Sequence, residues 1–169
     1  TIKKIIDPAA ILEELNKQII ASLRQEETRD LNGMDIAIAC FEEEKNGEVA
    51  IEFAGAKRPL YYFSPSEKEI ITVKGTTRHI GGRQITKRPF ENKQLKLPAG
   101  SMIYLTSDGY EDQNNANRRK VGRIKFLELL KRNAPNPVSI QKNSLETYLS
   151  KQTKGVEQRD DIMILGIRI

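Results

Sequence analysis

The sequence of 169 residues contains no tryptophan, one cysteine and one histidine. Cys40 alone excludes a disulfide within the chain, and His79 as the single histidine argues against a metal site built from His and Cys ligands. No apolar run approaches the roughly 18 residues that cross a bilayer. The first residues also lack the basic segment, apolar stretch and cleavage site of a signal peptide. These absences predict a cytoplasmic protein that does not insert directly into a membrane.

Positive charge exceeds negative charge, with a formal net charge of +5. The densest basic segment is 117–126, NRRKVGRIKF. A solvated loop and helix face explains such a segment, and the chain has few aromatic side chains on which bases could stack. We therefore expect no nucleic-acid partner. The alternative, a nucleic-acid binder, predicts binding that weakens steeply with salt.

Hydrophobic periodicity predicts one helix, a group of strands, two further helices and a closing strand. The first helix begins at Asp7 as N-cap, with Pro8 at its first position. The predicted strands cover 34–41, 49–55, 59–63, 68–73, 95–97 and 102–106, the later helices cover 123–132 and 138–151, and 76–84 is a loop. Short turns join most of the strands, which favours a layered α+β architecture in a single domain over 1–169.

The last third of the chain gives three more detailed predictions. Ile124, Leu127 and Leu130 are expected on the buried face of their helix, and Asn136 is the candidate N-cap of the next one. The segment 160–169, DDIMILGIRI, is nearly continuous in apolar residues. Such a run predicts a strand that is buried on both faces.

Carboxylates occur at the ends of two predicted strands. Asp108 and Gly109 directly follow the strand 102–106, and Asp160 and Asp161 open the closing strand. An Asp-Gly pair is a common turn, and a solvated loop is sufficient to explain Asp112. Local sequence therefore allows a simple strand end.

A site for a hard metal ion explains the same residues. Mg²⁺ and Mn²⁺ prefer oxygen ligands, which carboxylates on neighbouring strand ends supply. Two such ions about 3.5–4 Å apart can activate a bridging water for attack on a phosphoryl group. Gly109 has no side chain and would let the backbone approach closely. Spacing alone leaves both explanations open.

Five segments appear in an order that resembles a known family. They are NGMDIAI, EFAGAKRPLYYF, HIGG, LPAGSMIYLTSDGYEDQ and QRDDIMILGIRI, and they span 32–169. The chain resembles the metal-dependent protein serine/threonine phosphatases of type 2C, in their bacterial SpoIIE-like branch. The resemblance implies an α+β fold, a layered antiparallel β-sandwich flanked by helices. It also implies hydrolysis of phosphoserine or phosphothreonine by a water bridging two Mn²⁺ or Mg²⁺ ions.

The resemblance assigns metal-binding roles by position. Asp108 matches the metal-ligand aspartate of the Asp-Gly motif, and Asp160 matches the ligand that opens the last strand. Asp161 stands where many relatives have Asn, and is expected to help position water. Asp112 matches a carboxylate that touches a third, weaker ion in some relatives. Glu111 is expected to face solvent.

One motif of the family has no counterpart in this sequence. An early Asp with a Gly-rich turn should precede Asp7, but the only Asp-Gly pair is at 108. Asp30 and Asp35 do not replace it. We therefore expect a fold that is incomplete at the N-terminus, without its first strands and first metal-binding motif. This chain would then bind metal poorly and be inactive, and its exposed sheet edge predicts a homodimer.

Partners follow from the resemblance alone. It implies a phosphoprotein substrate, in relatives often an anti-sigma-factor antagonist, and a sensor domain upstream in the full-length protein. The missing motif leaves an alternative open, namely a degenerate phosphatase-like module that binds a partner protein without catalysis. His79 is interpreted as a solvated loop residue, with general acid as the alternative.

Overall fold

A computed structural model describes residues 7–28, 32–82 and 88–169. The helices are α1 (Pro8–Ser22), α2 (Gly109–Asp112), α3 (Arg123–Asn133) and α4 (Val138–Gln152). The strands are β1 (Gly33–Met34), β2 (Ile36–Glu43), β3 (Val49–Ala56), β4 (Leu60–Ser64), β5 (Glu69–Val73), β6 (Ile80–Gly81), β7 (Lys93–Leu97), β8 (Met102–Thr106) and β9 (Ile164–Arg168). The predicted α+β class with antiparallel sheets is confirmed.

The described residues divide into two compact units. The first comprises described residues of 1–60 and 72–99, and the second comprises 61–71 and 100–169. Within the described ranges, no helix has the length and apolar character needed to span a membrane. That residues 1–169 form a single domain stays a prediction.

The first unit contains the N-terminal helix and an antiparallel three-stranded sheet of order β2–β3–β7. The predicted N-cap of α1 is confirmed, because the Ala10 N–H donates to Asp7 Oδ1 at 3.0 Å. This bond, followed by one from Asn92, lowers the pKa of the Asp7 carboxyl. Leu12 of α1 is fully buried in a core cluster with Ala54 and other apolar residues of the unit.

One short strand of the first unit lies in a segment predicted to be a loop. β6 pairs antiparallel with β1, so that Gly33 faces Gly81 and Met34 faces Ile80. The buried side chain of Asn16 adds a hydrogen bond from Gly81 N to its Oδ1 at 2.9 Å. A two-residue strand has no periodicity, so only its partners reveal it.

The closing strand belongs to a four-stranded sheet of order β5–β4–β8–β9. In the second unit, β8 and β9 run antiparallel, from Met102 opposite Arg168 to Thr106 opposite Ile164. The prediction that this last strand is buried on both faces is wrong, since Leu165 is 49% exposed and β9 alternates between half-buried and exposed positions. Among the described strands β9 is at the edge of its sheet.

Two helix predictions in the second unit are also wrong in detail. Of the three residues predicted on the buried face of α3, Leu130 is fully buried and Leu127 packs half-buried against the core, but Ile124 is 80% exposed. Phe126 and Leu129 complete the buried face. Phe126 sets this orientation because its ring packs against Tyr110, with 5.0 Å between ring centroids. The rest of the cluster comprises Tyr61, Phe63, Met102, Tyr104, Val121, Ala134 and Leu145.

The N-cap of α4 is Pro137, with no side-chain hydrogen bond, rather than Asn136. Asn136 contributes its backbone carbonyl instead, which accepts from Gln141 Nε2 and from Arg168 Nη2, each at 2.8 Å. These two bonds hold the residue before the cap to α4 and to β9.

Candidate metal centre

The candidate site begins where β8 ends in the second unit. Ser107 and Asp108 follow the strand, and Gly109 starts the four-residue helix α2. Asp108 occupies the N-cap position of α2 with φ −85° and ψ −13°, but its side chain makes no capping hydrogen bond. Its carboxylate is half-buried. The helix end therefore does not account for the acidic side chain at this position.

Ser107 ties the end of β8 to the segment that precedes β9. Its Oγ donates to the Asp161 carbonyl at 2.8 Å and accepts from Met163 N at 2.9 Å. The Ser107 N–H also donates to the Met163 carbonyl at 3.0 Å. These three hydrogen bonds bring the segment of Asp108 against the segment of Asp161.

Gly109 makes an even closer contact with the same segment. A Cβ at this position would lie 2.4 Å from the Asp161 carbonyl oxygen and 2.9 Å from its carbonyl carbon. Only glycine permits this approach, because the neighbouring atoms are backbone. Asp108 thus lies between two residues that both touch Asp161.

Asp160 and Asp161 are exposed beside this contact. The Asp160 Oδ1 accepts from Asp161 N at 2.8 Å, and the Asp160 carbonyl accepts from Gln158 Nε2 at 2.8 Å. The first of these bonds orients the Asp160 carboxylate and leaves its other oxygen available to a ligand.

Sequence reasoning missed Gln113, which is 1% exposed. Its Nε2 donates to the Glu157 carbonyl at 3.2 Å, and its Oε1 accepts from Arg159 N at 3.3 Å. Gln113 directly follows α2, so it connects the Asp108–Asp112 stretch to the residues before Asp160. Its only signal in the sequence is its place at the end of the segment SDGYEDQ.

The two other acids of α2 differ in their surroundings. The Asp112 side chain is 53% exposed, and its Oδ1 is 3.0 Å from Lys120 Nζ. The expectation that Glu111 faces solvent is wrong, because it is half-buried and accepts from the Tyr61 hydroxyl at 3.1 Å. Tyr61 is buried and needs an acceptor for its hydroxyl, which explains why this carboxylate turns inward.

Aspartates of the first unit have structural partners. Asp7 caps α1, and Asp35 forms an ion pair with Arg58 Nη2 at 3.4 Å. Asp30 lies outside the described residues. His79, half-buried, is close enough to Gly33 that a Cβ there would lie 2.6 Å from its Cδ2. The histidine is therefore packed rather than fully solvated.

Carboxylate oxygens at one strand end fit Mn²⁺ or Mg²⁺ in chemical type. The close approach of Gly109 to the Asp161 backbone fits a metal centre whose ligands come from both the Asp108 segment and the Asp160–Asp161 segment. Across 7–28, 32–82 and 88–169, however, no group of three or more His, Cys, Asp or Glu side chains is arranged to hold a metal ion. That Asp108, Asp112, Asp160 and Asp161 bind metal stays a prediction.

Asp160 and Asp161 lie before β9, which begins at Ile164, rather than opening that strand as predicted. An antiparallel α+β fold in which this acidic segment meets an Asp-Gly at the end of β8 is the one expected for the type 2C protein phosphatases. The chain belongs to the family of stage II sporulation protein E (SpoIIE), whose family model matches residues 1–169. The resemblance noted from the sequence is thereby confirmed.

Solved structures support the same fold. The SiaA-PP2C domain of Pseudomonas aeruginosa is 29% identical with a TM-score of 0.80, covering 96% of this chain and 61% of that chain. The phosphatase domain of the cell fate determinant SpoIIE from Bacillus subtilis, presoaked with Mn, is 15% identical with a TM-score of 0.54, covering 100% of this chain and 76% of that chain. A bacterial serine phosphatase is 14% identical with a TM-score of 0.58, covering 100% of this chain and 70% of that chain.

This chain thus spans about three fifths of the SiaA domain chain, 61% of its length. Comparison with curated protein sequences finds no significant match.

Proposed function

We propose that the protein is a metal-dependent protein serine/threonine phosphatase of bacterial signalling. The observation that carries the proposal is the contact of Ser107 and Gly109, the two neighbours of Asp108, with the backbone of Asp161 in the acidic segment before β9. Membership of the SpoIIE family supports the reaction class.

Asp108 and Asp160 would hold the divalent ions in this proposal, and Asp161 would help to position water. Asp112 would serve a third, weaker site, for which its carboxylate must leave Lys120. The exposed pair of Asp112 and Lys120 contributes at most about 1 kcal/mol, so exchange is feasible. When bound, two such ions supply a water of lowered pKa and neutralise charge on the phosphoryl group. Mn²⁺ or Mg²⁺ is proposed because both prefer carboxylate oxygens, and the Bacillus relative was soaked with Mn.

The substrate proposed for this site is a phosphoserine or phosphothreonine protein in the cytoplasm, an anti-sigma-factor antagonist being one candidate. A sensor domain upstream in the full-length protein and a homodimer remain proposals of the same kind. The position of β9 at the edge of its sheet, among the described strands, supports pairing with a second copy.

A second function is favoured by one observation. The second function is a module that binds a partner protein without catalysis. Such a module needs no metal centre, and the described residues do not bring three metal-binding side chains together. The same observation supports the expectation that this chain alone turns over substrate weakly. Metal binding that depends on Asp108 separates the phosphatase from the non-catalytic module.

The test is Mn²⁺ binding by calorimetry, together with Mn²⁺-dependent hydrolysis of a phosphoserine peptide. Asp108→Asn should weaken Mn²⁺ binding by more than about 10-fold, since loss of groups that merely support a ligand already costs that much. Glu128→Gln is the matched control, because Glu128 is an exposed acid on α3 that pairs with Lys125. Measurable Mn²⁺ binding by the wild type that is unchanged in Asp108→Asn would refute the phosphatase. Rapid hydrolysis of the peptide by the wild-type chain would refute the separate expectation that this chain alone is nearly inactive.

A further inference from the structure

A basic groove lies beside the acidic strand end in the second unit. Two loops line it, the one at 114–120 and the one at 155–159. Its charged side chains are Arg118, Lys120 and Arg159 on the positive side and Glu157 on the negative side. We name this feature the basic groove.

Two of its cations are available to a ligand. Arg118 and Arg159 are exposed, and neither guanidinium forms an ion pair with any residue the structure describes. Lys120 is the exception, because its Nζ lies 3.0 Å from Asp112 Oδ1. The groove therefore presents two unneutralised guanidinium groups, the side chains best suited to bind carboxylates and phosphates through two parallel hydrogen bonds.

The loop that carries Arg118 is held in one conformation. Asn115 Oδ1 accepts from Asn117 N and from Arg119 N, each at 3.0 Å. Asn115 N donates to the Arg119 carbonyl at 3.0 Å, and Arg118 adopts φ 58° at the tip. Because these bonds form on folding, a ligand would not have to order the loop, which favours binding.

The groove is joined directly to the candidate metal centre. Arg159 precedes Asp160, and Lys120 contacts Asp112. Gln113 binds the backbone of both Glu157 and Arg159. A substrate whose phosphate reaches the carboxylate-bound ions would therefore extend its neighbouring residues along the groove.

We propose that the basic groove binds an acidic segment next to the phosphorylated residue of the protein substrate, an inference that rests on the proposed function. Charge complementarity favours an acidic peptide, since the groove carries Arg118, Lys120 and Arg159 against the single carboxylate of Glu157. A nucleic acid is a continuous polyanion, and the exposed carboxylate of Glu157 within the groove would repel it, whereas a short peptide can place its acidic side chains on the two guanidinium groups.

The experiment measures fluorescence anisotropy of two phosphoserine peptides, one with Asp and Glu flanking the phosphoserine and one with Asn and Gln there. The wild-type chain should bind the acidic peptide about 10-fold more tightly, which is the sum expected for two or three exposed ion pairs. The double variant Arg118→Gln/Arg159→Gln should lose this preference. Arg132→Gln is the matched control, since Arg132 is an exposed arginine at the end of α3, outside the groove.

Equal affinity for both peptides, or an unchanged preference in the double variant, would overturn the inference. Tighter binding of duplex DNA than of the acidic peptide, abolished in the same double variant, would overturn it in favour of a nucleic acid. Mn²⁺ affinity measured on the same proteins reports separately on the proposed function. If Mn²⁺ binding does not depend on Asp108, the phosphatase fails and the inference fails with it. If Mn²⁺ binding depends on Asp108 but the wild type does not prefer the acidic peptide, only the inference about the groove fails.

Discussion

Replacement of Gly109 by alanine is the sharpest perturbation of the candidate centre. The added Cβ would lie 2.4 Å from the Asp161 carbonyl oxygen, whereas a carbon atom and a non-bonded heavy atom pack best about 3.5 Å apart. The obstructing atoms are backbone, so no side chain can rotate away. The end of β8 and the Asp161 segment must therefore separate by about 1 Å.

The sign of the effect distinguishes this contact from helix propensity. Gly109 is the first residue of α2, and helix propensity alone predicts that alanine stabilises by up to about 1 kcal/mol. Overpacking of a well-packed contact costs about 1–3 kcal/mol, and the 2.8 Å hydrogen bond from Ser107 Oγ to the Asp161 carbonyl would be stretched as well. We expect Gly109→Ala to be destabilised, with a melting temperature lower by roughly 3–10 °C for a chain of this size.

Calorimetry measures both consequences of Gly109→Ala. The displacement of Asp160 and Asp161 should weaken Mn²⁺ binding by roughly 10–100-fold, the effect usual for residues that orient metal ligands. Gly47→Ala is the control, because Gly47 has φ 81° and open space around its Cβ position. That change should cost roughly 1–2 kcal/mol through backbone strain and leave Mn²⁺ affinity unaltered. A Gly109→Ala protein with wild-type stability and Mn²⁺ affinity would refute the reasoning.

Two further predictions concern stability and pH. Burial raises the pKa of the Tyr110 phenol above its ordinary value of 10.0, so the unfolded state loses this proton first and stability should fall as pH rises above 10. Tyr110→Phe should make the free energy of unfolding, measured by urea titration, fall less steeply above pH 10. The same change should cost about 1–3 kcal/mol at pH 7, because the Leu145 carbonyl loses the hydrogen bond from the Tyr110 hydroxyl at 2.9 Å. An equally steep fall of stability in Tyr110→Phe would contradict this. Asp7→Ala should cost about 1 kcal/mol at pH 7 through loss of the N-cap bond to Ala10. Since this bond lowers the pKa of Asp7, the difference from wild type should shrink as pH falls below 3.8, and a difference constant down to pH 2 would show that the charge plays no part.

The fold was predictable wherever the signal is local. Asp7 and Pro8 define the start of α1 by their own backbone and side-chain chemistry. The Asn46-Gly47 turn sets the register of β2 against β3, in which Glu43 faces Val49. Residues within a few positions of one another decide these features, so the order of letters is sufficient.

Features decided by distant partners were not predictable. The buried face of α3 is set by Phe126 against Tyr110, and Glu111 turns inward because Tyr61 needs an acceptor. Gln113 carries no periodic or motif signal that would mark it as buried. In each case the free energy comes from a contact between segments far apart in the chain, which local patterns do not encode.

The Asp-Gly pair after β8 shows how geometry can separate a turn from a site. A turn selects aspartate for its side-chain hydrogen bonds and glycine for a positive φ. Asp108 makes no capping bond to α2 and has ordinary helical dihedral angles, and Gly109 is not among the glycines of positive φ. The local turn thus requires neither residue. Gly109 is required by the Asp161 backbone opposite, and the same contact brings Asp108 to a second pair of carboxylates. The facing segment thus explains Gly109, as expected if the Asp-Gly pair serves a site that the end of β8 shares with the segment before β9.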